Sequence, residues 1–336
     1  MEERIRARYS DRILTEALAA YGIAEDTVRE LDGFESYIYE FQGSDTPGIL
    51  RISHSIRRTG DMIRGELDWI DYLHRGGVGV SKPLRSLQGS WVESLEDGRG
   101  GFFLTSAFEK ARGEPHRGPE WSAGLLWEYG NQIGHMHQLA TTYQPANSDW
   151  KRPYWNDPIH HQVQEFIPEA EGGIRQLYRD VVRQISQLPA EKDACGLIHQ
   201  DPHQGNFFVD GEGKITFFDF DDSSYSWFVE DIALILFYAV MGQEDPTRFT
   251  VNFLEGFLPG YFAAYPLDLK WFREIPLFMK MRELDLYAVI HRSFDVDNLE
   301  DPWCKWYLEG RAERLLKGKP YLEFDFGGFD YSVFRT

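Results

Sequence analysis

The residues best suited to chemistry stand close together. His199, Asp201 and Asn206 have the spacing H-x-D-x-x-x-x-N, and Asp219 follows after two short apolar runs. A carboxylate such as Asp201 orients a hydroxyl and accepts its proton. Asn206 offers an amide oxygen and Asp219 a carboxylate, the hard donors that a cation of the Mg²⁺ type takes while phosphates and water complete its shell. A positioned hydroxyl and a cation-bound polyphosphate are what phosphoryl transfer requires. His199 reads as a structural ring behind the loop. A competing reading takes His199, Asp201 and His203 as two imidazoles and a carboxylate around a transition metal, but no further His, Cys or Asp cluster with ligand spacing supports it.

Such groups need a scaffold that brings distant carboxylates together. Leu197-Ile198, Asn206 to Val209, the turn Asp210-Gly-Glu-Gly213 and Lys214 to Phe218 predict a hairpin, because a turn containing Asp-Gly separates two apolar runs. Residues 1–30 read as helix. Tyr37 to Phe41, Ile49 to Ile52, Ser90 to Leu95 and Gly101 to Phe108 read as strands, and Asp61 to Arg75 as a helix ending at Gly76-Gly77. Helical patterns then cover 121–139, 157–187, 227–242, 246–264, 269–293 and 302–316. Strands followed by helices give an α+β chain with a β-rich lobe over 1–108, a hinge at 109–115 and a mainly helical lobe over 116–336.

The window Ile198 to Asp222 resembles the aminoglycoside phosphotransferase/choline kinase family of the protein-kinase-like fold. Phe218-Asp-Phe-Asp-Asp222, followed by Trp227 to Ala233, is most similar to the bacterial branch containing the stress-response kinase SrkA and the type II homoserine kinases. The resemblance implies a bilobal fold with the nucleotide under the β-rich lobe. It makes Asp201 catalytic and Asn206 and Asp219 metal ligands. It matches Arg51, on the third strand, and Glu66, on the next helix, to the pair that orders the ATP phosphates, although the family more often has Lys at the strand position. Ser36, in Gly33-Phe-Glu-Ser36, falls at the nucleotide-covering turn, without a G-x-G-x-x-G. Glu109 and Ala111 fall in the linker that meets the adenine edge, and Asp231 becomes a buried acid bracing the catalytic loop. Acceptor contacts come from the helical lobe: Asp221, Asp222, Tyr225, Trp227 and the helix bearing Arg282 to Tyr287. The expected activity is ATP- and Mg²⁺-dependent phosphorylation of a hydroxyl on a small molecule, cationic or neutral, such as an aminoglycoside, an amino alcohol or a homoserine-like compound. The alternatives are a Ser/Thr protein kinase of the SrkA type and a non-catalytic nucleotide-binding module.

Composition narrows the partners. The 336 residues carry 35 Lys and Arg against 54 Asp and Glu, a formal charge of −19, which disfavours nucleic acid or an anionic membrane and favours a cationic small molecule. With 42% hydrophobic and 15% aromatic residues there is ample material for a core. Cys195 and Cys304 belong to no pairing or ligand pattern and read as reduced thiols. The N-terminal segment has no apolar stretch of the secretory kind, and the longest apolar run, Ile232 to Met241, is too short to span a bilayer. These features read together as a cytoplasmic protein.

Overall fold

The computed structural model describes residues 2–43, 46–118, 121–160 and 162–335. Met1, at the start of the expected N-terminal helix, His161, inside the expected 157–187 helix, and Thr336 lie outside them. The chain forms two compact units. The first comprises Met1–Glu114, Tyr143–Arg152 and Phe207–Asp221, and the second Pro115–Thr142, Pro153–Asn206 and Asp222–Thr336.

The first unit begins with α1 (Glu3–Arg6) and α2 (Asp11–Tyr21), then β1 (Val28–Leu31), β2 (Tyr37–Gln42), β3 (Pro47–His54), α3 (Gly60–Arg75), β4 (Pro83–Leu84), β5 (Glu93–Glu96) and β6 (Phe102–Glu109). The strands form one antiparallel sheet in the order β1-β2-β3-β6-β4, with β5 also on β6. Helix does not run through residue 30. Gly22 takes the left-handed conformation and closes α2, and Val28–Leu31 joins β2 with Val28 opposite Phe41. Those ladder bonds come from a distant strand, so local periodicity does not reveal them. Alternation on β3 buries Leu50 and Ile52 in a core with Ile13, Ala17 and Leu18 of α2, while Arg51 between them points to the opposite face.

Two later segments complete this unit. β9 (Phe207–Val209) and β10 (Ile215–Phe217) form the expected hairpin, in register Phe207 to Phe217, within a small sheet of order β10-β9-β7 that includes β7 (Glu114–Pro115). Phe217 ties it to the unit, donating its N–H to Gly79 and accepting from Ser81, both at 2.8 Å. The 143–152 segment lies along α3 so closely that a Cβ on Gly65 would stand 1.9 Å from the Trp150 carbonyl. Asp68 of α3 accepts from Tyr143 Oη at 2.7 Å and from the Ala146 N–H at 3.0 Å.

The second unit is mainly helical: α4 (Ala123–Ala140), α5 (Gln162–Phe166), α6 (Gly172–Ile185), α7 (Phe228–Ala239), α8 (Pro246–Ala264), α9 (Ile275–Ser293), α10 (Pro302–Leu308) and α11 (Arg311–Leu316). In a strand pair, β8 (Cys195–Ile198) runs against β11 (Ser224–Trp227), and β8 leads into the loop at 199–206. The expected 157–187 helix divides at Pro168, which cannot continue a helical ladder, and the 302–316 helix divides at Gly310, which is left-handed. Helix α7 is buried around nearly its whole circumference and forms the middle of the unit. Cys195 and Cys304 are unpaired, and no helix of the described residues is long and apolar enough to cross a membrane.

Candidate active site

In the second unit the loop after β8 is held from below by Asp231, in the first turn of α7. Its Oδ2 accepts the His199 N–H at 3.1 Å and its Oδ1 the Gln200 N–H at 2.9 Å, while His137 Nε2 lies 3.2 Å from Oδ2. Gln200 is left-handed, with φ 73°, a conformation that costs a non-glycine residue about 1–3 kcal/mol. Its side chain sustains it: Nε2 donates to Glu230 at 2.8 Å and Oε1 accepts from Ser224 at 2.9 Å. His199 is buried behind the loop, and burial holds its ring pKa below the usual value. The strained turn presents Asp201 with 18% of its side chain exposed.

The two Asp201 oxygens have different partners. Oδ1 accepts from Arg282 Nη2 of α9 at 2.5 Å, and Oδ2 accepts from Asn206 Nδ2 at 3.2 Å with His203 Nε2 at 3.4 Å. Burial would raise this carboxyl, but Arg282 and then His203 outweigh it and hold the group well below the usual carboxylate range. Asn206 Nδ2 also donates to the Asp201 carbonyl at 2.9 Å, so its amide oxygen remains the acceptor that can meet a cation. Glu230 and Asp285 are pushed the other way. Burial raises each to about 7, with Asp231 adding to it for Glu230, and Glu230 and Asp222 for Asp285.

In the first unit Arg51 and Glu66 form a bidentate pair, Nη1 to Oε1 at 2.8 Å and Nη2 to Oε2 at 2.7 Å, with 8% and 1% of their side chains exposed. Burial opposes the Arg51 charge, and Glu66 outweighs it and keeps the guanidinium firmly protonated. Asp219 lies two residues beyond β10, exposed and left-handed with φ 62°. Asp221 is half-buried beside basic groups of its own unit. Its Oδ2 lies 3.1 Å from Arg58, and its carbonyl accepts from Arg152. Burial would raise its pKa, but Arg58, Arg51 and Arg152 keep it ionised. Asn206, in the second unit, and Asp219, in the first, each offer an oxygen donor of the kind a hard divalent cation takes. Among the described residues no group of three His, Cys, Asp or Glu side chains is arranged to hold a metal.

Other residues singled out in the sequence are placed as follows. Ser36 Oγ lies 2.9 Å from Ser53 Oγ at the end of a tight turn, where a Cβ on Gly33 would meet the Ser36 carbonyl at 2.1 Å. Glu109 closes β6 with its N–H on the Lys82 carbonyl at 2.8 Å, and Ala111 is buried. Asp222 is close enough to Arg282 and Asp285 to act on both. Tyr225 is half-buried on β11, its ring centre 5.3 Å from that of Tyr154. Trp227 is a core residue, 5% exposed, with its indole N–H donated to the Pro189 carbonyl at 3.0 Å. Sequence reading missed the arginines that hold acids, Arg58 and Arg152 on Asp221 and Arg282 on Asp201. Only Arg282 carried a signal, as a basic residue on a helix already considered for the acceptor.

Comparison with known proteins agrees with this architecture. The phosphotransferase enzyme family matches residues 27–267. Amicoumacin kinase of Bacillus subtilis (strain 168) is 37% identical over 322 residues, covering 95% of each chain. A solved structure of the amicoumacin kinase hAmiN, in complex with AMP-PNP, Ca²⁺ and Ami, superposes with a TM-score of 0.92 at 33% identity, over 97% of this chain and 99% of that one. A microcompartment-associated aminopropanol kinase shares the fold with a TM-score of 0.72 at 20% identity, over 92% and 98% of the two chains. With most of its length matched both to the family and to a relative of this similarity, the chain belongs to the phosphotransferase enzyme family.

Proposed function

We propose that this protein moves the γ-phosphoryl group of ATP, taken as its Mg²⁺ complex, to a hydroxyl of a small amine-bearing molecule, with amicoumacin the first acceptor to test. The observation that carries the reading is the ordered Asp201 carboxylate, ionised and held through both oxygens on a loop braced by Asp231. In this reading 1–108 is the nucleotide-covering lobe, 109–115 the hinge and 116–336 the catalytic lobe, and the unpaired cysteines support a cytoplasmic setting. The strong likeness to amicoumacin kinases along nearly the whole chain supports the choice of acceptor.

Each residue then has a defined task. Asp201 accepts a hydrogen bond from the acceptor hydroxyl and takes its proton as the new O–P bond forms and the bond to the β-phosphate oxygen breaks. Arg51, locked by Glu66, presents a fixed positive charge to the phosphates, and Ser36 and the Glu109 to Ala111 linker line the nucleotide. Asn206 and Asp219 would hold Mg²⁺, which when bound neutralises the β- and γ-phosphate charge. Asp222 and Tyr225 offer a carboxylate and a ring face to an ammonium group on the acceptor.

The test is transfer of label from γ-labelled ATP to amicoumacin, with amino alcohols, aminoglycosides and a protein lysate in parallel. Labelled amicoumacin that disappears with Asp201→Asn supports the assignment. Label appearing only in protein would turn it to a protein kinase, and Mg²⁺-ATP binding without transfer to any acceptor would leave a binding module.

A further inference from the structure

We propose that Arg282 is a positioning residue for phosphoryl transfer, acting through Asp201, whose carboxylate it clamps in one orientation against Tyr238. The inference rests on the phosphotransfer reading and adds a residue that lies 81 positions from Asp201 in sequence.

The geometry separates the two carboxylate oxygens. Arg282 Nη2 takes Oδ1 at 2.5 Å, whereas Oδ2 is shared by Asn206 Nδ2 and His203 Nε2. Turning the carboxylate over would exchange a charged partner for an amide and an imidazole, so one orientation is selected. Arg282 is itself immobilised. Its Nε and Nη2 both donate to Tyr238 Oη, at 2.9 and 2.5 Å, and its guanidinium lies 5.2 Å from the centre of the Tyr238 ring. Tyr238 is on α7, which also supplies Asp231 and Glu230, so the helix that braces the loop backbone also anchors the clamp on its side chain.

The clamp suits this reaction. Phosphoryl transfer passes through a loose transition state in which little proton transfer is required and positioning dominates. A carboxylate held in one direction is then favoured over a mobile one, since misplacement by about 1 Å costs on the order of 10²-fold in rate.

The experiment is a cycle of wild type, Arg282→Gln, Asp201→Asn and the double variant, read as single-turnover transfer from γ-labelled Mg²⁺-ATP to amicoumacin. We expect Arg282→Gln to lower the rate about 10- to 100-fold, with KM for ATP within about twofold of wild type. In the Asp201→Asn background the same substitution should change the rate less than about twofold. Arg282→Lys should recover part of the loss, and Tyr238→Phe should give a smaller loss that also vanishes with Asp201→Asn. An equal factor in both backgrounds, or an unchanged rate in Arg282→Gln, overturns the proposal. If Arg282→Gln does not fold, the Tyr238→Phe cycle decides by the same rule. If wild type does not label amicoumacin, the cycle is read on the slow hydrolysis of Mg²⁺-ATP. Full transfer by Asp201→Asn alone would sink the catalytic assignment of Asp201 on which the proposal rests, whereas additive losses with a slowed but measurable Asp201→Asn would sink only the role of Arg282.

Discussion

Asp231 holds Gln200 in a left-handed turn through a 2.9 Å hydrogen bond from the Gln200 N–H, and its other oxygen takes the N–H of the preceding residue. Both donors are at the start of the loop that carries Asp201, and Asp231 is fully buried. Its place in the first turn of α7 adds the favourable field of a helix N-terminus. The carboxylate therefore sets the path of the loop that carries Asp201.

Replacing Asp231 by Ala should leave two backbone N–H groups and His137 without their acceptor, at a cost on the order of 3 kcal/mol. Asp231→Asn can satisfy only part of this set, because an amide offers one acceptor oxygen where the carboxylate offers two. We expect the Ala variant to melt lower and lose activity by at least about 10²-fold, with Asn between it and wild type. Thermal melts and initial rates check both. Wild-type activity in a destabilised Ala variant would show that the loop holds its shape unaided.

Arg51 and Glu66 yield a second expectation. Their pairing is bidentate and buried, so Glu66→Ala strands a guanidinium away from water, at a cost of about 3–5 kcal/mol. Arg51→Lys restores the residue more usual in the family, but an ammonium cannot reproduce two parallel bonds to Glu66. We expect Arg51→Lys to raise KM for ATP several-fold with a smaller change in kcat, and not to improve the enzyme. ATP titration of the initial rate decides, and a lower KM would mean that the Arg is a handicap.

How much of this was legible in the sequence follows from what each feature depends on. The 207–217 hairpin and the spacing of Asp201, Asn206 and Asp219 are local, so the sequence displays them without any knowledge of distant contacts. Arg51 and Glu66 were matched through the resemblance, not through their own surroundings. The arginines on acids were hidden, because Arg152 reaches Asp221 and Arg282 reaches Asp201 across long stretches of chain. Sequence alone offers Asp221 as an acceptor acid and does not show Arg58 and Arg152 beside it. Trp227 was read as a ring for the acceptor, while burial and its bond to Pro189 make it core. The close approach of α4 and α8 was equally silent: a Cβ on Gly130 would stand 1.9 Å from the Phe257 carbonyl, and one on Gly260 1.9 Å from that of Trp127.

Glu230 and Asp285 make stability depend on pH. Burial raises both to about 7 in the folded protein, from 4.5 and 3.8, so between those limits the folded state binds more protons than the unfolded chain. Their contribution is therefore fully present below about pH 4 and is lost as pH rises through 7. Asp231 opposes Glu230 ionisation, Asp222 opposes that of Asp285, and Arg282 favours both. We expect Glu230→Gln, which can keep a bond to Ser226 or Gln200, to flatten the fall in Tm between pH 5 and 7.5, a difference of up to about 3 kcal/mol at the upper end. Parallel Tm curves for wild type and variant would show that Glu230 ionises normally.

Asn206 and Asp219 should fail differently when altered. Asp219 is exposed, so Asp219→Asn removes a charge with little effect on the fold. If it holds the cation of the ATP complex, the Mg²⁺ concentration for half-maximal rate should rise at least about tenfold and kcat should fall about 10²-fold or more. Asn206→Ala removes an amide oxygen and also the two hydrogen bonds that Nδ2 gives to Asp201, so added Mg²⁺ should restore less of its activity. Asn206→Asp keeps an oxygen ligand but loses the donor and sets a second carboxylate against Asp201, and it should be no better than Ala. Initial rates over a Mg²⁺ titration at fixed ATP separate the cases. Full recovery of Asn206→Ala at high Mg²⁺ would reduce Asn206 to a ligand alone, whereas an unchanged Mg²⁺ requirement in Asp219→Asn would remove Asp219 from the metal site.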